Sequence, residues 1–218
     1  MKKIFLVTVL AMITTLSFAQ NDKYVKTMEV KIAAFDTTRS VIGLGEIAND
    51  FERIANAEKT QWLPFYYAAL ANVNMGYTML GGQMGGDASK IDPIADKAEK
   101  LINKAEELSK NNSEIYVIKK MIASLRMMVD PQARYMTYGP AAATALETAK
   151  KLNPENPRIF LLEGQDKFYT PEAYGGSKTE AKKLLEAALK KFDSHKTESN
   201  ISPNWGRGTT QYFLSQIK

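Results

Sequence analysis

The segment Ala105-Glu-Glu-Leu108, followed by Asn112-Ser-Glu-Ile-Tyr116, returns 44 residues later as Ala149-Lys-Lys-Leu152 followed by Asn156-Pro-Arg-Ile-Phe160. A partial third copy, Ala188-Leu-Lys-Lys-Phe192, lies about 40 residues further on. Self-similarity at this period constrains the fold strongly. A single helical hairpin cannot bury its own apolar face and has to stack on the next one. The apolar positions around the echo fall at helical intervals, and the two-residue alternation of a strand is absent. The expected fold is all-α, with about eight or nine helices arranged as hairpin repeats in a solenoid.

The N-terminus sets the compartment. Met1-Lys2-Lys3 precedes an apolar run, Ile4 to Phe18, that ends in the small residues Ser17 and Ala19. This is the layout of a secretory signal peptide cleaved after Ala19. A retained anchor needs about 20 apolar residues, and Thr8, Thr14, Thr15 and Ser17 interrupt this run. No cysteine follows it to carry a lipid. Residues 1–19 are therefore expected to be removed, leaving 20–218 as a single helical domain, exported to the periplasm or beyond and not membrane-spanning. The formal charge of +5 falls to +3 without Lys2 and Lys3. That surplus serves solubility and is no footprint for nucleic acid. With zero cysteines no disulfide and no haem or thiolate chemistry is expected, so stability has to come from packing.

Spacing predicts helices over Tyr24–Phe35, then from a cap at Thr37 or Thr38 to Ile54, with Gly43 and Gly45 weakening the start. Pro64 suits the first turn of an apolar central helix running to Leu80. Gly81–Asp87 reads as a mobile loop. Helices follow over Ile94–Lys110 and Ile115–Val129, with breaks at Asp130-Pro131 and Gly139-Pro140 before Ala141–Leu152. Ile159–Phe168, a loop at Pro171–Gly176 and a helix over Thr179–Phe192, capped by Ser177 or Thr179, complete the repeats. The tail Asp193–Trp205 reads as polar and irregular, and Thr210–Ile217 as a short last helix.

Across residues 64–192 the pattern resembles the tetratricopeptide repeat, whose unit of about 34 residues places small side chains where its paired helices touch. Ala142, Leu146 and Ala149, with Pro154 closing the unit, match the second helix. Phe160 and Gly164 match the first helix of the next unit, followed by Ala181, Leu185 and Ala188. The departures are Lys110 in place of the closing proline and Lys120 at the first-helix small position. Extra residues, expected as inserted loops at Pro131–Pro140 and Pro171–Gly176, map to one face of a solenoid. The whole chain is similar to small exported helical-repeat proteins of Bacteroidetes-type bacteria, a resemblance that implies location and fold, not a reaction.

No catalytic constellation stands out. His195 is the lone histidine and sits among polar neighbours. Glu106-Glu107 falls on a charged helix face. The methionines, with Met75 and Met79 four apart and Met121 and Met128 on one helical face, read as gap-filling core rather than as a soft-metal site, since no histidine or cysteine accompanies them. No cofactor, metal or catalytic residue is expected. The glycines of 81–87 lack the Gly-Lys-Ser/Thr ending of a nucleotide loop.

The chief binding candidates are Tyr169, Glu172, Tyr174, Gly175 and Gly176, which form either a contact surface or a long turn whose glycines supply positive φ. Trp62, Tyr66 and Tyr138 are further groove candidates. Trp205 reads as an aromatic that ties down the tail. The leading functional expectation is a non-enzymatic binding or scaffold protein holding a peptide or protein partner in its groove. The alternative is a small-ligand carrier or accessory subunit of an envelope uptake system, distinguished by a pocket of about 300–1,000 Å³. A carboxylate-based hydrolase stands behind both. Oligomeric state is left open.

Overall fold

The computed structural model describes residues 22–217, so the expected signal peptide at 1–19 lies outside the described residues. Among the described residues the chain forms nine α-helices and no strand. They are α1 (22–37), α2 (Val41–Ala57), α3 (Trp62–Leu80), α4 (Ala88–Leu108), α5 (Ser113–Val129), α6 (Pro131–Leu152), α7 (Pro157–Tyr169), α8 (Lys178–Ser194) and α9 (Arg207–Gln216), with a 3₁₀ turn at Glu172–Tyr174.

The echo in sequence is an echo in structure. Asn112 and Asn156 are N-caps of α5 and α7, and each side chain accepts from the backbone N–H two residues on, at 3.0 Å in both cases. Ile115 and Ile159, 44 apart, are both wholly buried. The ion pair Lys119–Glu106 at 2.6 Å recurs one repeat later as Glu163–Lys150 at 2.9 Å, with the two charges exchanged between the helices. Gly164 packs where the repeat pattern requires a small residue, since a Cβ there would stand 2.8 Å from Leu185 Cγ on α8.

Helix α3 is the centre of the molecule. Every residue from Tyr66 to Val73 is buried, which accounts for its apolar character on most faces. It packs on α2 and α4 and crosses to α5; α5 pairs with α6, α7 with α8, and α8 with α9. The main core runs from Tyr24 on α1 to Leu162 on α7 and takes in Ile201 of the tail, and a second cluster joins Leu161, Leu185, Ala188 and Phe213. Phe160 and Trp205 pack against both. The tail beyond α8 is irregular, as expected, but it is docked. Tyr67 OH donates to the Ile201 carbonyl at 3.2 Å, and Asn200 Nδ2 donates to Glu29 Oε1 at 3.0 Å.

Several boundaries differ from expectation. The break at Gly139-Pro140 does not occur, and Pro131–Pro140 is no loop: α6 is continuous from Pro131 to Leu152, with Pro140 in its interior. Pro131 occupies the first turn, where no donor is needed, and Asp130 caps it by accepting from Ala133 N at 3.1 Å. Pro140 leaves the Met136 carbonyl without its helical donor, at a residue that is 80% exposed, where the loss costs less than it would in the core. The extra residues of the middle repeat thus lengthen a helix. Helix α2 is capped by Ser40 rather than Thr37 or Thr38, its hydroxyl accepting from Gly43 N at 3.1 Å. Helix α4 starts at Ala88, earlier than Ile94, because Asp87 caps it by accepting from Ser89 N. The glycine loop 81–87 is not free: Gly85 N–H donates to the Met128 carbonyl at 2.8 Å and Gly86 N–H to that of Val129 at 3.0 Å.

Candidate functional site: a cleft along the odd-numbered helices

Alternate helices of the stack share one surface. Helices α1, α3, α5, α7 and α9, with the start of α2 and the segment ahead of α9, enclose a cleft of about 700 Å³. Its walls include Phe35, Leu44, Met121, Met128, Leu161 and Phe213. Met121 and Met128 point the same way because seven residues are close to two helical turns. Among the polar groups are Arg39 and Arg207, both exposed, and the pair Lys120–Asp166 at 2.7 Å. The Tyr77 phenol is spoken for: it donates to the Met121 carbonyl at 2.8 Å, and burial pushes its ionisation far up.

Tyr169, at the C-terminal end of α7, lines this cleft while remaining 48% exposed. Its ring meets Phe213 edge-on at 5.6 Å, with Phe168 joining both. Burial raises its phenol above the ordinary value, with Tyr212 adding to the shift, so it stays protonated at neutral pH.

Trp205 also lines the cleft, and its placement is specified by a polar relay. Its indole N–H donates to Tyr66 OH at 2.7 Å, and Tyr66 OH donates to Glu114 Oε2 at 2.9 Å. Glu114 Oε1 accepts from Asn156 at 2.7 Å and from Arg158 at 3.0 Å. The Arg158 guanidinium lies 5.1 Å from the Trp205 ring, within cation–π range. The segment after α8 therefore closes one side of the cleft because three repeats hold it there.

Of the binding candidates chosen from sequence, Tyr169 alone lines this cleft. Tyr66 is wholly buried and presents no surface to a ligand, a correction that follows from its central place on α3. Trp62 packs edge-on against Tyr66 at 5.5 Å. Tyr138 lies in a different groove of about 490 Å³ between α4 and α6, with Arg126 5.8 Å from its ring centroid.

Glu172, Tyr174, Gly175 and Gly176 are outside the cleft lining. Their geometry is that of a turn. Gly175 has φ +88°, its carbonyl accepts from Lys167 Nζ at 2.9 Å, and a Cβ on Gly176 would fall 1.7 Å from the Thr170 carbonyl oxygen. Tyr174 is 83% exposed. The residues missed, such as Tyr77, Leu161 and Leu162, carry no local motif, and Met121 and Trp205 were read only as core and tail packing. The signal was the pairing itself, since alternate helices of a hairpin stack face one side.

No protein-family model matches the chain, and no curated protein matches it. Among solved structures it is similar to the HusA haemophore from Porphyromonas gingivalis, with 32% sequence identity, 89% of this chain and 92% of that chain covered, and a TM-score of 0.78. Among the described residues no helix is long and apolar enough to cross a membrane.

Proposed function

The chain belongs to the family of the HusA haemophore, and from that premise we propose that it is an exported, non-enzymatic carrier whose cargo is haem or a closely related porphyrin, held in the cleft along the odd-numbered helices. The small-ligand carrier that sequence offered as the alternative thereby replaces the peptide-holding scaffold, and the expectation of no haem chemistry gives way with it, since holding a porphyrin without a covalent bond needs no cysteine. The observation that carries this is the cleft itself. At about 700 Å³ it falls within the size range of small-molecule sites, and its lining combines aromatic and aliphatic side chains with polar and charged ones such as Arg39, Lys120, Gln165 and Arg207. A porphyrin is a flat apolar ring with carboxylates at one edge. Side chains from five successive odd-numbered helices can lie along its faces while the exposed Arg39 and Arg207 remain beside water.

Tyr169 is the one residue chosen from sequence that this proposal retains, as an aromatic contact at the rim. Titration of the purified chain with haem, followed by visible absorption, tests the proposal. Saturable binding is expected, and Tyr169→Ala should weaken it by roughly two- to tenfold, the worth of one aromatic contact. Absence of saturable binding in the wild type would contradict it.

A further inference from the structure

Lys120 breaks the repeat. It stands 44 residues before Gly164, at the position where the next unit has the small residue that packs against Leu185. Its side chain is 5% exposed, and it lines the cleft. Burying an ammonium costs free energy unless it is matched. Its match here is one oxygen: Lys120 Nζ donates to Asp166 Oδ1 at 2.7 Å, and among the described residues it makes no other hydrogen bond. An ammonium carries three donors. Asp166 is itself 53% exposed, so the lysine is enclosed by the protein while its partner reaches solvent.

Resting on the haem-carrier reading, we propose that Lys120 is the specificity-determining anchor for a carboxylate of the cargo. It receives one propionate of the porphyrin through donors that Asp166 leaves free, and Asp166 yields part of its contact on loading. A charge-assisted bond at a site shielded from water discriminates more strongly than one at an exposed rim. The carboxylate-bearing edge of the ring would therefore point toward the α5–α7 side of the cleft, leaving the apolar edge against Phe35 and Leu44.

Haem and haem dimethyl ester, in which both propionates are neutralised, are the probes. Lys120→Met keeps the apolar stem and removes the charge, and exchange of a buried ion for a hydrophobe of similar volume is generally tolerated. It should weaken haem binding about ten- to hundredfold while leaving affinity for the ester unchanged. Asp166→Asn, at the exposed end of the pair, keeps the test open if Lys120→Met folds poorly. It should bind haem more tightly, with no change for the ester. An equal effect of Lys120→Met on both probes, no effect on either, or weaker haem binding by Asp166→Asn would overturn the assignment. A wild-type chain that binds neither probe would instead overturn the haem reading beneath it.

Discussion

Arg158 is wholly buried, yet its guanidinium meets one carboxylate only. Nη1 pairs with Glu114 at 3.0 Å, while Nε and Nη2 have no hydrogen-bond partner among the described residues. The Trp205 and Phe192 rings at 5.1 and 5.7 Å supply cation–π contact in place of hydrogen bonds. Such a group depends on its single counter-charge. Glu114→Ala should destabilise the fold by about 3–5 kcal/mol in urea unfolding, because it leaves an uncompensated buried cation and frees the Tyr66–Trp205 relay. A loss below about 1 kcal/mol, the scale of an exposed pair, would contradict this. Gly164 was legible in advance as a small contact position, and the structure gives the reason. Gly164→Ala forces the buried Leu185 to shift and should cost about 1–3 kcal/mol by the same measurement. Tyr66 was misjudged as a groove residue, because spacing identifies an aromatic helix face without saying which side of the helix meets solvent.

Helix α6 shows where local rules mislead. Gly139-Pro140 is a strong break signal, yet the helix runs through it, since the carbonyl left unpaired belongs to an exposed residue and α5, with one ion pair from α4, holds the helix in place. Arg134 of α6 reaches Asp92 of α4 with both terminal nitrogens, at 2.7 and 2.8 Å, and Arg126 of α5, beside it, ties α5 to Asp96 and Glu99 of α4, both at 2.8 Å. Continuity has a direct test. Pro140→Ala should raise stability, by up to about 3 kcal/mol, the difference between the two residues in a helix interior. No gain, or a loss, would argue for a break. The α4–α6 clamp also has a pH signature. Hydrogen bonding from Arg134 holds the Asp92 carboxyl below its ordinary value, against the opposing effect of burial. The clamp's contribution is thus full above the unfolded value of about 3.9 and is lost as pH falls through the lower folded value. The stability gap between the wild type and Arg134→Met should be constant near neutrality and narrow below about pH 4. A gap as wide at about pH 3 as at neutrality would show that packing, not charge, makes the clamp.

At the scale of the whole molecule, the helices and their stacking were legible because they rest on short-range spacing: caps 44 apart, small residues at fixed intervals, apolar faces of period 3.6. The cleft was not legible. Its lining runs from Phe35 to Phe213, so no window of sequence contains it, and it exists only once the helices are stacked and the segment ahead of α9 is docked beside them. The insertions expected to carry function turned out to be a longer helix and a tight turn, and only Tyr169, beside that turn, reaches the cleft.

The methionines locate cargo most directly. Met121 and Met128 line the cleft, Met28 is wholly buried outside its lining, and Met136 is exposed on α6. In a chain labelled at the methionine methyls, a metal-free porphyrin shifts only those methyls lying near its ring current. Binding in this cleft predicts large shifts at Met121 and Met128, with Met28 and Met136 unmoved. Shifts at Met136 alone, or at none of the four under saturating porphyrin, would contradict it.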